Sequence, residues 1–134
     1  MLWSDKAKLQ ACEKLKLAGI KFPMVPGTQV ARGFADLGYE EFIIIAEGQI
    51  VSLLTGVRGE IPAEHARHFF VIPDIDQICE AFAVRGWALE RADFIEQRYW
   101  RIRARSRADA LHEVEDRSLS VALVLLLLKI HSIE

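Results

Sequence analysis

The sequence predicts an α+β fold in which antiparallel strands form sheets covered by helices, arranged as two small α/β lobes in one compact domain. Three observations carry this. Ile75, Ile78, Cys79 and Phe82 recur at helical spacing, Tyr99 to Arg105 alternates with period two, and Phe42 to Leu54 holds two β-type runs around Glu47-Gly48. With 134 residues, 51% hydrophobic and 27% charged, the chain is an ordinary globular domain and is not disordered or collagenous. One core of this size buries roughly two thirds of the surface that the unfolded chain exposes, so neither disulfide nor structural metal is needed.

In chain order, Ser4 caps a first helix over residues 5 to 18, with Leu9, Cys12 and Leu15 on its apolar face and Gly19 as its stop. Pro23 and Pro26 keep residues 21 to 28 extended or looped. For residues 28 to 38 the spacing of Val30, Phe34 and Leu37 suggests a short helix capped by Thr28, although Gly27, Gly33 and Gly38 weaken it. The hairpin of residues 41 to 54 follows, and then a short helix with Pro62 in its first turn, ending near His68. Phe69 to Ile72 reads as a strand. Asp74 and Gln77 form a capping box for a helix that Gly86 ends. Trp87 to Phe94 and Gln97 to Arg105 are strands that pair, Ala110 to Glu115 adds a third, and Ser118 caps a last helix running to Ser132. The expected sub-lobes are residues 1–68 and 69–134. Cys, Glu and Gly recur at an offset of half the chain in residues 11–19 and 78–86, but amphipathic helices commonly end in Gly and the strands that follow do not align.

The first residues lack a basic segment followed by a long apolar run, so no secretory leader is expected. Leu119 to Leu128 is about half of the roughly 20 apolar residues that span a bilayer. It is read as a buried helix, covered on nearly its whole circumference or forming a homodimer seam through Val121, Leu125 and Leu128. Cys12 and Cys79 are expected as free, buried thiols in a reducing cytoplasm.

His65 and His68 lie three residues apart and offer a metal-binding pair, with Glu60, His112, Glu113 or Glu115 as third ligand. A polar turn that caps or pairs locally is the preferred reading, so no metal is assigned. No Ser elbow, phosphate-cradling loop or Cys-His pair is present, and capping explains Asp74 and Asp76, so neither an enzyme nor a cofactor is expected. A net charge of −2 argues against a general polyanion binder. The strongest surface feature is Arg98, Arg101, Arg103, Arg105 and Arg107 with Tyr99 among them. Alternation puts Tyr99, Arg101, Arg103 and Arg105 on one face, opposite Trp100, Ile102 and Ala104. That face suits an acidic protein surface, a nucleic acid or a nucleotide. Alternatively it pairs with Glu90 and Asp93, or with Glu113, Glu115 and Asp116, on neighbouring strands.

The run Phe70-Val71-Ile72-Pro73-Asp74-Ile75-Asp76-Gln77, then Arg85-Gly86-Trp87, the Trp100 strand and Ser118-Leu119-Ser120-Val121-Ala122-Leu123 resemble small phage and prophage proteins of the phage ABA sandwich type. The likeness covers residues 69 to 133. It implies a non-enzymatic binding protein of phage or mobile-element origin, an inhibitor of a host defence component among the options. A nucleic-acid or nucleotide binder using the arginine strand is the second reading, and a metal-dependent hydrolase using His65 and His68 the third.

Overall fold

The computed structural model describes residues 6–34, 38–61 and 63–133. It has the predicted α+β architecture, with antiparallel sheets of five and three strands. Ser4, Asp5, Leu37 and Pro62, to which caps and turns were assigned above, lie outside the described residues.

The chain divides into two compact units, residues 1–73 and 74–134. The division falls after Pro73 and not before Phe69, because the strand at 69–72 pairs with a strand of the first unit.

In the first unit, α1 (Lys6–Leu17) buries Leu9, Ala11, Cys12 and Leu15, and Gly19 ends it at φ +84°. Val25-Pro26-Gly27-Thr28 closes a turn in which the Thr28 N–H donates to the Val25 carbonyl at 3.0 Å, with Gly27 at φ +94°. Pro before a left-handed Gly is the type II turn pattern. The chain then enters β1 (Gln29–Phe34), where a short helix was expected. Pairing overrides the weak helical spacing: β1 lies between β2 (Gly38–Ala46) and β5 (Phe69–Ile72), and Val30 and Ala31 are both fully buried. A helix would leave neighbouring strands without their ladder.

The expected hairpin is β2 and β3 (Gln49–Ser52), turning at Gly48, with a bulge between Ile44 and Ala46. An unforeseen strand, β4 (Arg58–Glu60), completes the order β4-β3-β2-β1-β5. Its three residues are all exposed, so no apolar alternation marks it. The short helix at Ala63–His68 is of the 3-10 type. Val30, Phe42, Ile44, Ile50 and Phe69 form one buried cluster of this unit.

In the second unit, α2 (Ile75–Val84) begins with the predicted capping box: the Gln77 N–H donates to Asp74 Oδ1 at 2.7 Å and the Asp74 N–H to Gln77 Oε1 at 3.0 Å. It buries Ile78 and Phe82 only. The row of Ile75 and Cys79 turns outward, which corrects the expectation of a buried Cys79. Helical periodicity placed four residues on one stripe, but the covered stripe is one row wide.

β6 (Trp87–Ile95), β7 (Tyr99–Ser106) and β8 (Leu111–Asp116) form the meander β6-β7-β8. The turn into β7 holds Glu96 and Gln97 at φ +52° and +56°, and the Arg98 N–H donates to the Ile95 carbonyl at 3.0 Å. Ser118 caps α3 (Leu119–Ser132), accepting from the Val121 N–H at 3.3 Å. This helix packs on β7, β8 and α2 and buries Val121, Ala122, Leu123, Val124, Leu126, Leu127 and Ile130. Leu125 and Leu128 stay partly exposed, so of the three seam residues only Val121 is fully covered within the chain. No helix among the described residues is long and apolar enough to cross a membrane.

Leu127→Ala should cost about 2–5 kcal/mol in chemical denaturation, because it opens a cavity at a position with no exposure. Leu125→Ala should cost clearly less. A cost for Leu127→Ala below about 1 kcal/mol would show that the α3 core is not packed as described. Equal, concentration-dependent costs would place a second copy of the chain over Leu125.

Both cysteines are free, but they differ in reactivity. Burial pushes the Cys12 thiol up to about 12, partly opposed by Lys8, and the thiolate is the reactive form. A thiol reagent should therefore modify one group, Cys79, in the folded protein and the second only after denaturation. Two fast thiols would mean that the Cys12 face of α1 is not buried as described.

Candidate functional site

β7 is the central strand of its sheet, so each residue from Trp100 to Arg105 has a cross-strand neighbour on both sides. Ile102 and Ala104 are fully buried, and Trp100, which shares their face, stacks near Phe94 with ring centroids 5.1 Å apart. Arg101, Arg103 and Arg105 therefore project together from the opposite face, with side chains 38%, 31% and 38% exposed. Tyr99 lies on the same face, opposite Ile95.

The arginines meet carboxylates from both flanking strands. Arg101 Nε lies 2.9 Å from Glu115 Oε1 and 3.5 Å from Glu113 Oε1. Arg103 uses two nitrogens on Glu113, Nε at 3.0 Å and Nη2 at 2.9 Å, and its Nη1 is 3.9 Å from Glu90. Arg105 donates to Glu90 and, at 2.8 Å, to Asp109, which is held at φ +68° in the following turn. Asp93 pairs with Arg91 at 3.1 Å. Asp116 caps the Ser118 N–H at 2.8 Å and belongs to another network.

A register shift in β6 gathers Glu90, Arg91 and Asp93 on this face. Leu89 is paired with Ala104 and Arg91 with Arg103, so Glu90 is the extra residue of a β-bulge and turns toward the arginines. Its hydrogen bond with Arg105 holds its carboxyl below the usual range, with the charges of Arg105, Arg103 and Arg91 adding to the effect. The Arg105 guanidinium is raised in turn by its bonds to Glu90 and Asp109, and Arg101 by its bond to Glu115. All three arginines make charge-assisted bonds: Arg105 forks onto both oxygens of Glu90, Arg103 brings two nitrogens to one oxygen of Glu113, and Arg101 uses Nε alone. The face is consequently a lattice of both signs.

Arg98 and Arg107 sit outside the strand, in the turns at its two ends. Arg107 borders a cavity of about 430 Å³ that continues from the Arg105 end of the lattice and is also lined by Glu90, Trp87 and Ala88. Trp87 was read only as a strand residue.

His65 and His68 both lie exposed on the 3-10 helix with ring centroids 6.1 Å apart, and His68 Nε2 accepts a long 3.5 Å bond from Arg67 Nε. Glu113 and Glu115, offered above as a third ligand, are engaged by Arg103 and Arg101. Among the described residues no group of three or more His, Cys, Asp or Glu side chains is placed to hold a metal ion.

A second polar cavity, about 420 Å³, lies in the first unit. There the Arg32 guanidinium rests 5.5 Å from the Phe42 ring and 5.4 Å from the Phe69 ring and pairs with Glu40 at 3.2 Å. Such cation–π contact stabilises a half-buried charge. Arg58 and Glu60 also line it, so both signs are represented. The sequence carried no signal for it, because the aromatic partners of Arg32 come from two other strands.

No family model matches the chain, and neither a curated protein nor a solved structure matches it.

The depressed Glu90 carboxyl makes the lattice pH-dependent with a definite sign. A carboxyl held below its unfolded value contributes stability above that value and loses it as pH falls through the folded value. The stability gap between wild type and Glu90→Gln should thus be largest at neutral pH and close below the ordinary Glu range. A gap that is constant, or that widens in acid, would show that Glu90 is not held by Arg105.

Proposed function

We propose that the chain is a non-enzymatic binding protein that meets a partner protein through the exposed face of β6, β7 and β8. The observation that carries this reading is the row of guanidinium–carboxylate pairs on Arg101, Arg103 and Arg105. Their charges are held in position before any encounter, so little side-chain freedom is lost on docking. A partner with complementary alternating charges is selected, and one with charges out of register is rejected. The cavity beside Trp87 and Arg107 offers a recess for one projecting side chain at the end of the row.

The carboxylates decide between the two partner classes. Glu90, Asp93, Glu113 and Glu115 stand among Arg91, Arg101, Arg103 and Arg105, and a continuous phosphate backbone would meet repulsion from each of them. A nucleic acid is therefore the weaker candidate. A mobile-element origin and a host defence component as the partner belong to this proposal on the strength of the phage resemblance alone, and a reducing cytoplasm on that of the two free thiols.

Immobilised wild-type protein should retain one protein from a bacterial lysate after nuclease treatment, and Arg101→Glu with Arg103→Glu should lose it while the melting temperature stays close to wild type. A retained species that disappears with nuclease would transfer the face to nucleic acid. Identical capture by wild type and by the folded variant would remove the face from the binding site. If the double variant unfolds, the exchanged pair Arg101→Glu with Glu115→Arg keeps the lattice neutral and repeats the comparison.

A further inference from the structure

The first unit holds a cavity of a different chemical character. It has a volume of about 300 Å³ and lies between α1, the segment after it, the 3-10 helix and β5. No residue of β1 lines it, so it follows the edge of β5 that has no partner strand. Leu15, Ile20 and Phe70 are buried in its wall, Phe22 is half-buried, and Met24 remains 45% exposed. Its charged lining consists of Lys16, Lys21 and Arg67, with no carboxylate among the lining residues. The other two cavities described above each include Glu residues beside their arginines.

Lys16 is the centre of this arrangement. Its ammonium donates to the backbone carbonyls of Arg67 and Phe69, the latter at 2.8 Å. Two of three N–H donors are thereby used. Partial burial lowers its affinity for the proton, with Glu13 opposing, and the ammonium belongs to the lining of a largely apolar recess. An anion that pairs with it offsets the desolvation.

The free edge of β5 also raises the alternative of strand addition by an extended peptide. Two features count against it. Lys16 occupies the Phe69 carbonyl, and Pro73 follows Ile72 without an N–H, both of which blunt an edge.

We infer that this cavity binds a free carboxylate with an unbranched apolar tail, a medium-chain fatty acid, with its head at Lys16, Lys21 and Arg67 and its tail along Leu15, Phe22 and Met24. Apolar lining, a volume at the small end of ligand sites and three cations without a carboxylate among the lining residues are the features that such a molecule requires. The site is independent of the β6–β8 face.

The experiment is a titration of the full chain with decanoate, followed by backbone amide NMR, with 1-decanol and a capped apolar tripeptide amide as comparison ligands. Decanoate should saturate, shift the amides of Leu15, Phe22 and Phe70, and bind about tenfold more tightly than decanol, in keeping with a charge-assisted contact. Lys21→Gln with Arg67→Gln leaves the Lys16 bonds to β5 intact and should weaken decanoate about tenfold while decanol is unchanged. Phe22→Ala should weaken both. Absence of saturable binding, equal affinity for decanoate and decanol, or shifts confined to β6–β8 would each overturn the inference. Tighter binding of the tripeptide amide would overturn it in favour of strand addition.

Discussion

The period of two along β7 is the constraint on which the second unit depends. A strand with neighbours on both sides has no free choice of face: once Ile102 and Ala104 enter the layer beneath α2 and α3, Arg101, Arg103 and Arg105 must emerge on the other side. A slip of one residue would bury three guanidinium groups and expose the core positions. The hydrophobic and ionic arrangements of the sheet are therefore one decision, taken by register.

Like charges in a row on one strand are destabilising unless both neighbours answer them. β8 does so through Glu113 and Glu115, which stand directly opposite Arg103 and Arg101. β6 does so through Glu90, and it sets Asp93 opposite Arg101. Alternation from Leu89 puts Glu90 on the face of Ala88, which stands opposite Arg105; the extra residue at the bulge lets Arg91 and Asp93 return to that same face, and one carboxylate serves Arg103 and Arg105 together. Each surface pair of this kind is worth little by itself. Their value is positional, because a shared network orders several side chains at once and presents them as a fixed pattern.

Local signals carried most of the architecture. The Asp74–Gln77 capping box, the Ser118 cap and the alternation of β7 each depend on residues within a few positions of one another, and each is present where chain chemistry put it. What was not legible depended on distant partners. β1 is a strand because β2 and β5 come to lie on its two sides, and β4 because Arg58 finds Val51. Cys79 is outside because its helix is covered along one row, a property of the neighbours and not of the helix. The arginine face itself was visible by parity. Glu90, Glu113 and Glu115 were legible as its acidic neighbours, whereas the bulge in β6 was not, since no Gly or other turn residue marks it. The cavities at Arg32 and Lys16 were invisible for the same reason, as each gathers side chains from segments far apart in sequence.

Edges pose the remaining problem for two small sheets, and the chain treats two of them alike. At β5 the ammonium of Lys16, from α1, donates to the Phe69 carbonyl; at β8 the ammonium of Lys129, from α3, donates to the Glu113 carbonyl at 3.2 Å. A helix that packs on a sheet thus supplies the cation that closes an outer backbone acceptor. The consequences differ because the surroundings differ. Lys129 is exposed and reaches a strand that carries Glu113, Glu115 and Asp116. Lys16 reaches a strand of Phe, Val and Ile and shares its recess with Lys21 and Arg67. The same edge-closing device therefore stands beside carboxylates in one unit and beside apolar surface with further cations in the other, so a single structural habit gives the two units surfaces suited to different chemistry.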